Sequence, residues 1–141
     1  MTPEEVALVQ TSFARVAPLA DEAAQIFYNR LFEIAPQVRS LFPHDMAEQR
    51  HKLMTTLAVV VNGLDKLETI LPAASALAKR HVGYGAQPGH YPVVGEALLW
   101  TLERGLGDGW NNDVAAAWTA AYTTLANFMI NEAYAKPQAA E

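Results

Sequence analysis

The chain has 141 residues, no cysteine, four histidines and a net charge of −5 from 10 basic and 15 acidic side chains. Such a length suits one domain that buries about two-thirds of its unfolded surface, and 51% hydrophobic against 18% charged residues excludes a disordered chain. The missing cysteine excludes a disulfide frame, a thiolate zinc site, an iron–sulfur cluster and a thiol nucleophile, and the acidic balance excludes the basic face that nucleic acid requires.

Thr2-Pro3-Glu4-Glu5 puts acids where a secretion signal needs basic charge. The longest aliphatic run, Leu57-Ala58-Val59-Val60-Val61, is far short of a membrane span, so a soluble cytoplasmic chain is expected. The same N-terminal residues start a helix: Thr2 caps, Pro3 takes the first helical position and Glu5 closes a capping box. Val6, Val9, Phe13 and Val16 follow at helical spacing until Pro18. Asp21 is expected to cap a second helix, with Ala24, Phe27, Tyr28, Leu31 and Ile34 on its inner face. Pro36 opens a short turn through Val38 and Leu41 that ends at Phe42-Pro43, and residues 43–47 read as a loop.

The next helix runs from Ala47 to Leu64 with Gln49, Leu53, Leu57 and Val60 or Val61 on one face. Asn62-Gly63 weakens its end, since glycine costs about 1 kcal/mol inside a helix. Pro72 is expected to open a shorter helix through His81, before a loop at Gly83, Gly85, Pro88 and Gly89. Pro92 begins a helix through Leu106 that Gly105, Gly107 and Gly109 end. Asn112 or Asp113 caps the last helix, to Ala135, with Ala117, Trp118, Ala121, Tyr122, Leu125, Phe128 and Met129 on its apolar face. Residues 135–141 are expected to fray. With no strand alternation and no repeat, the fold class is all-α: six to eight helices of uneven length in one domain over 1–141.

No two of the histidines are four apart, so no helical zinc pair exists. His44, in a loop, and His51, on the far side of its helix from Gln49, read as solvated, and His90 reads as an exposed helix-terminus residue. His81 stands apart because it ends a helix whose inner side carries Leu71 and Leu77. No nucleophile turn of the G-x-S-x-G kind occurs, and the glycines at 83, 85 and 89 follow a helix and do not open one, so they form no phosphate loop. Singly, Phe42, Tyr28 and Leu53 read as core residues and Gln49 as exposed; jointly they could surround a flat apolar group.

In combination these residues resemble the globins, in particular bacterial single-domain haemoglobins and the haem domain of flavohaemoglobins. Phe27-Tyr28, Leu31-Phe32, Pro36, Val38-Arg39, Leu41-Phe42, Gln49, Leu53, Arg80-His81, Tyr91-Pro92-Val93-Val94-Gly95, Ala117-Trp118 and Tyr122 carry the likeness, from Thr2 to Glu132. Pro36 lies six residues before Phe42 and Gln49 thirty-two before His81, spacings that match the family's turn, distal and proximal positions.

The resemblance implies a globin fold around a haem pocket, with His81 as the proximal ligand of the iron and its other ring nitrogen on the Leu77 carbonyl. It implies haem b, held without covalent attachment because no cysteine is present. Phe42 would wedge against the haem face, Tyr28 and Gln49 would form the distal pair, Leu53 would close the distal pocket and Lys52 would meet a propionate. Tyr91 and Val94 would complete the cofactor's surroundings. The implied ligands are dioxygen, nitric oxide and carbon monoxide. The implied activity is reversible, high-affinity dioxygen binding, for storage or delivery. The alternative is a nitric oxide dioxygenase that depends on a separate reductase, since 141 residues leave no room for a flavin or nicotinamide domain. A monomer is the default. One departure stands out: where nitric oxide-detoxifying members carry a glutamate that pairs with the proximal histidine and a tyrosine, here Tyr91 fits the tyrosine but the aligned position is Ala133. Glu132, one residue away, should point elsewhere, about 100° around the helix.

Overall fold

Six α-helices carry most of residues 1–83, 85 and 87–134, which the computed structural model describes: α1 Pro3–Val16, α2 Ala20–Ile34, α3 Ala47–Asn62, α4 Leu67–Gly83, α5 His90–Leu106 and α6 Asn112–Tyr134. Short 3-10 turns at Ala17–Leu19, Pro36–Leu41, Leu64–Lys66 and Gly107–Gly109 join them, and no strand occurs among the described residues. The tail expected to fray, 135–141, lies outside them.

Helix α1 starts as its sequence dictates. The Thr2 hydroxyl accepts the Glu5 N–H at 3.1 Å while the Glu5 carboxylate accepts the Thr2 N–H at 2.9 Å. Its spaced residues Val6, Val9, Phe13 and Val16 are all buried. Helix α2 starts a residue before Asp21 and buries Ala23, Ala24, Phe27, Tyr28 and Leu31. Asp21 does not cap it: its carboxylate accepts from Gln25 and, across to α3, from Arg50 at 3.2 Å.

Three further helix starts differ from the sequence expectation. Pro72 does not open α4 but sits inside it, a turn past Leu67. Proline removes one N–H and crowds the carbonyl four residues back, here that of Glu68. Both residues are exposed, so water can take that carbonyl, and Ile70 and Ala74 still bury on the other face. Helix α5 begins at His90 and not at Pro92, which lies in its first turn, where a missing N–H costs nothing. Helix α6 is capped by Asn111, whose side-chain oxygen accepts the Val114 N–H at 2.9 Å.

The helices pack α1 on α6, α2 on α5, α4 on α6 and α2 on α3. One apolar cluster joins α1, α2, α5 and the first half of α6 through Val9, Phe13, Phe27, Leu31, Leu98, Leu102 and Trp118. A second joins α4 to the far half of α6 and the start of α5 through Ala78, Tyr91, Ala126 and Met129. Each large aliphatic side chain buried this way contributes about 1.5–3 kcal/mol. Tyr122 belongs to the margin of both clusters, and Gly95 makes room for it: a Cβ at 95 would lie 2.7 Å from its ring. Helices α3 and α4 are not among the closely packed pairs of the described residues.

Candidate functional site

The distal side is built by α2, α3 and the turn between them. Tyr28 is buried on α2, and the half-buried Gln49 reaches it from the first turn of α3, donating from Nε2 to the hydroxyl oxygen at 3.1 Å. The sequence reading of Gln49 alone as an exposed residue therefore gives way to a paired one. Burial pushes the Tyr28 hydroxyl above its ordinary range, and the bond from Gln49 offsets part of that push. Edge-on rings surround it: Phe27 at 4.9 Å and Phe42 at 5.5 Å between centroids. Leu53, a turn beyond Gln49, lines a small apolar cavity with Phe27, Met54, Leu57, Leu98 and Trp118.

Lys52 lies at the rim of this group. It is exposed, 3.6 Å from the Glu48 carboxylate, and with Pro43, Asp45, Glu48 and Gln49 it borders a surface recess of about 220 Å³. His44 and His51 are exposed, as the sequence suggests. His90 is not a bystander: its Nδ1 accepts the Gln87 N–H at 3.1 Å and braces the turn that leads into α5.

The proximal side is built by α4 and the start of α5. His81 Nδ1 lies 2.8 Å from the Leu77 carbonyl, one turn back on α4. A carbonyl accepts only, so this contact puts a proton on Nδ1, and in the neutral ring that makes Nε2 the nitrogen able to ligate a metal. The Tyr91 ring lies 6.4 Å from the His81 ring, and the Tyr91 carbonyl accepts the Tyr122 hydroxyl at 2.6 Å. Burial drives the Tyr122 hydroxyl well above its ordinary range, with Tyr91 adding to it. Val94 is half-buried on α5 and packs with the main core. Glu132 does point elsewhere: its carboxylate accepts the Ser75 hydroxyl at 2.7 Å on the exposed side, while Ala133 packs with the cluster that holds Tyr91.

The predicted residues thus fall into two groups, Tyr28, Phe42, Gln49, Leu53 and Lys52 on one and Leu77, His81 and Tyr91 on the other, with Val94 in the core beside them. Apolar side chains beside the site residues are left uncovered: Leu41 is 36% and Val82 43% exposed, each adjacent in sequence to a site residue. Leu41 also packs close to Gly85, whose φ of +91° suits glycine alone. An oriented imidazole, uncovered apolar side chains and a buried hydroxyl are what a flat, mostly apolar group with one central metal would require, so the residues fit a haem.

Sequence reasoning named Arg39 only as part of the family likeness and gave it no role; its guanidinium binds the carbonyls of Phe42, Pro43 and His44. The available signal was a proline-interrupted stretch whose carbonyls no helix could satisfy. It also missed the Tyr122 bond to Tyr91, for which the facing pair of Gly95 and a large ring was the clue.

The globin family model matches residues 25–129, and the chain belongs to the globin family. Among its relatives are the flavohemoproteins of Xylella fastidiosa, 31% identical over 133 residues that make up 91% of this chain and 33% of the relative, and of Halalkalibacterium halodurans, 29% identical over 92% and 32%. The chain spans about a third of the length of these curated relatives. In fold it is similar to a bacterial globin from Campylobacter jejuni, with a TM-score of 0.82 at 23% identity over 93% of this chain and 95% of that one. It is also similar to an engineered carbene transferase, a proposed nitric oxide dioxygenase from Rhodothermus marinus, with a TM-score of 0.81 at 28% identity over 92% and 90%. No helix among the described residues is long and apolar enough to cross a membrane.

Proposed function

We propose that residues 1–141 form one cytoplasmic globin domain that holds haem b without covalent attachment and binds dioxygen reversibly and tightly. His81 would hold the iron through Nε2, Phe42 and Leu53 would contact the ring, Lys52 would meet a propionate, and Tyr91 and Val94 would border it from α5. Bound, the haem would supply an iron centre open to a small diatomic ligand.

The observation that carries the reading is the bond between Gln49 and Tyr28. Because Gln49 donates to the hydroxyl oxygen, Tyr28 keeps its own proton for another acceptor, and no acceptor among the described residues takes it. Burial keeps that hydroxyl protonated well past neutral pH. It is therefore a fixed donor, aimed by its neighbours and suited to a ligand that draws negative charge, as dioxygen does and carbon monoxide does much less. Absorption spectra of the haemin-loaded protein in ferric, ferrous and oxygenated forms test this. A Soret band that His81→Ala abolishes is expected; a colourless protein that takes up no haemin overturns the reading.

A second reading is favoured by the flavohemoprotein relatives. The same distal donors suit conversion of nitric oxide, dioxygen and one electron to nitrate, the electron coming from a separate reductase. Sustained nitrate formation with a cellular reductase would support it, and turnover that stops after one equivalent would leave the binding reading alone.

A further inference from the structure

We propose that Arg39 is a positioning residue for the distal wall: it clamps the turn at 42–44 and thereby holds the Phe42 ring against Tyr28. The inference rests on the haem reading above for its consequence, but not for its geometry.

Phe42, Pro43 and His44 lie between the 3-10 turn and α3, so their carbonyls have no helical partners. Pro43 cannot donate, and among the described residues no backbone N–H reaches the carbonyls of Phe42, Pro43 or His44. Arg39 serves all three. One terminal nitrogen donates to Phe42 O at 3.2 Å and Pro43 O at 3.0 Å, and the other to His44 O at 3.2 Å. The Arg39 carbonyl meanwhile accepts the Phe42 N–H at 3.1 Å, which closes a ring around Phe42 from both sides.

The clamp is tied to the site by aromatic contact. The guanidinium carbon of Arg39 lies 5.1 Å over the Phe32 ring, Phe32 meets Phe42 edge-on at 5.5 Å, and Tyr28 lies 5.9 Å from Phe32 and 5.5 Å from Phe42. Arg39 therefore fixes both the backbone that carries Phe42 and one of the two rings that seat it. A planar fork with five donors can divide itself among three carbonyls; a lysine ammonium at the end of a flexible stem cannot hold the same three in one plane. Charge alone would then not suffice at this position.

The test uses the full chain loaded with haemin, as wild type, Arg39→Ala and Arg39→Lys. Dioxygen release is expected to speed up about threefold or more in both variants, a fraction of the roughly 10- to 150-fold that a hydrogen bond to a charged acceptor can supply. Haemin transfer to an apoprotein scavenger should accelerate, with carbon monoxide release nearly unchanged. If both variants only melt earlier, with dioxygen release and haemin transfer as in wild type, Arg39 is a structural clamp and the proposal is wrong. If wild type takes up no haemin, the haem reading falls separately. The positioning claim is then decided by the ring-to-ring nuclear Overhauser effect between Tyr28 and Phe42: its loss in Arg39→Lys supports the claim and its retention overturns it.

Discussion

Burial raises the proton affinity of two hydroxyls, and the two serve different ends. Tyr28 accepts from Gln49 and keeps its own proton, while Tyr122 gives its own to the Tyr91 carbonyl and so fixes the first turn of α5. Tyr28→Phe removes the donor but keeps the ring, so dioxygen release should accelerate by roughly 10- to 150-fold, the worth of about 1.5–3 kcal/mol for a bond to a charged acceptor. Stopped-flow measurement of release against carbon monoxide release checks this; equal changes for both gases would make Tyr28 a packing residue only. The same hydroxyls set an alkaline limit. Both have folded values above the unfolded 10.0, so the folded state keeps protons that the unfolded state has lost once the pH passes that value. The stability they supply is complete below pH 10.0 and falls as the pH rises above it. Urea midpoints of wild type should decline above that pH, and the decline should be shallower in Tyr122→Phe.

At the scale of the helix, α4 and α5 contain residues that work against local rules. An internal proline costs about 3 kcal/mol relative to alanine, yet Pro72 is tolerated because its face of α4 is exposed. Part of that cost is offset by the freedom proline removes from the unfolded chain. Pro72→Ala should therefore stabilise the protein by about 2–2.5 kcal/mol, read from chemical unfolding; a loss of stability would mean that the proline sets a bend the packing needs. Gly95→Ala should do the reverse. Its new methyl would meet the Tyr122 ring at 2.7 Å, and overpacking of this kind costs about 1–3 kcal/mol. These two positions mark what was legible in the sequence. Apolar spacing located α1, α2, α3 and α6, prolines and glycines bracketed α4 and α5, and the capping residues of α1 gave its start to the residue. Pro72 misled because a proline's effect depends on which face meets water, which only tertiary packing decides. The pairing of Gln49 with Tyr28 became readable through family likeness, because residues 21 apart in sequence carry no local signal of contact. Arg39 went unread for a related reason: carbonyls that need a donor are invisible until the turn that exposes them is built.

At the scale of the whole molecule, the first and last helices are joined by a buried polar contact. Trp118 on α6 donates from its indole nitrogen to the Ser12 hydroxyl on α1 at 2.8 Å, and that hydroxyl in turn donates to Leu8 O at 2.6 Å, with Val9 O at 3.1 Å. The residues are 106 apart, and the bond sits where Phe13 meets the Trp118 ring at 6.3 Å. Helix α1 contributes none of the proposed cofactor contacts; its role is to back α6, which in turn backs α4 and the start of α5. Ser12→Ala would strand the indole N–H in an apolar interior, at about 1–3 kcal/mol. Trp118→Phe would lose the same bond together with ring area. Removing both partners leaves no stranded donor, so the double variant should cost less than the two single ones added, by about 1 kcal/mol. Urea unfolding of the four proteins gives that coupling directly. Additivity would mean that α1 is held to α6 by apolar contact alone, and the hydroxyl then only satisfies its own helix.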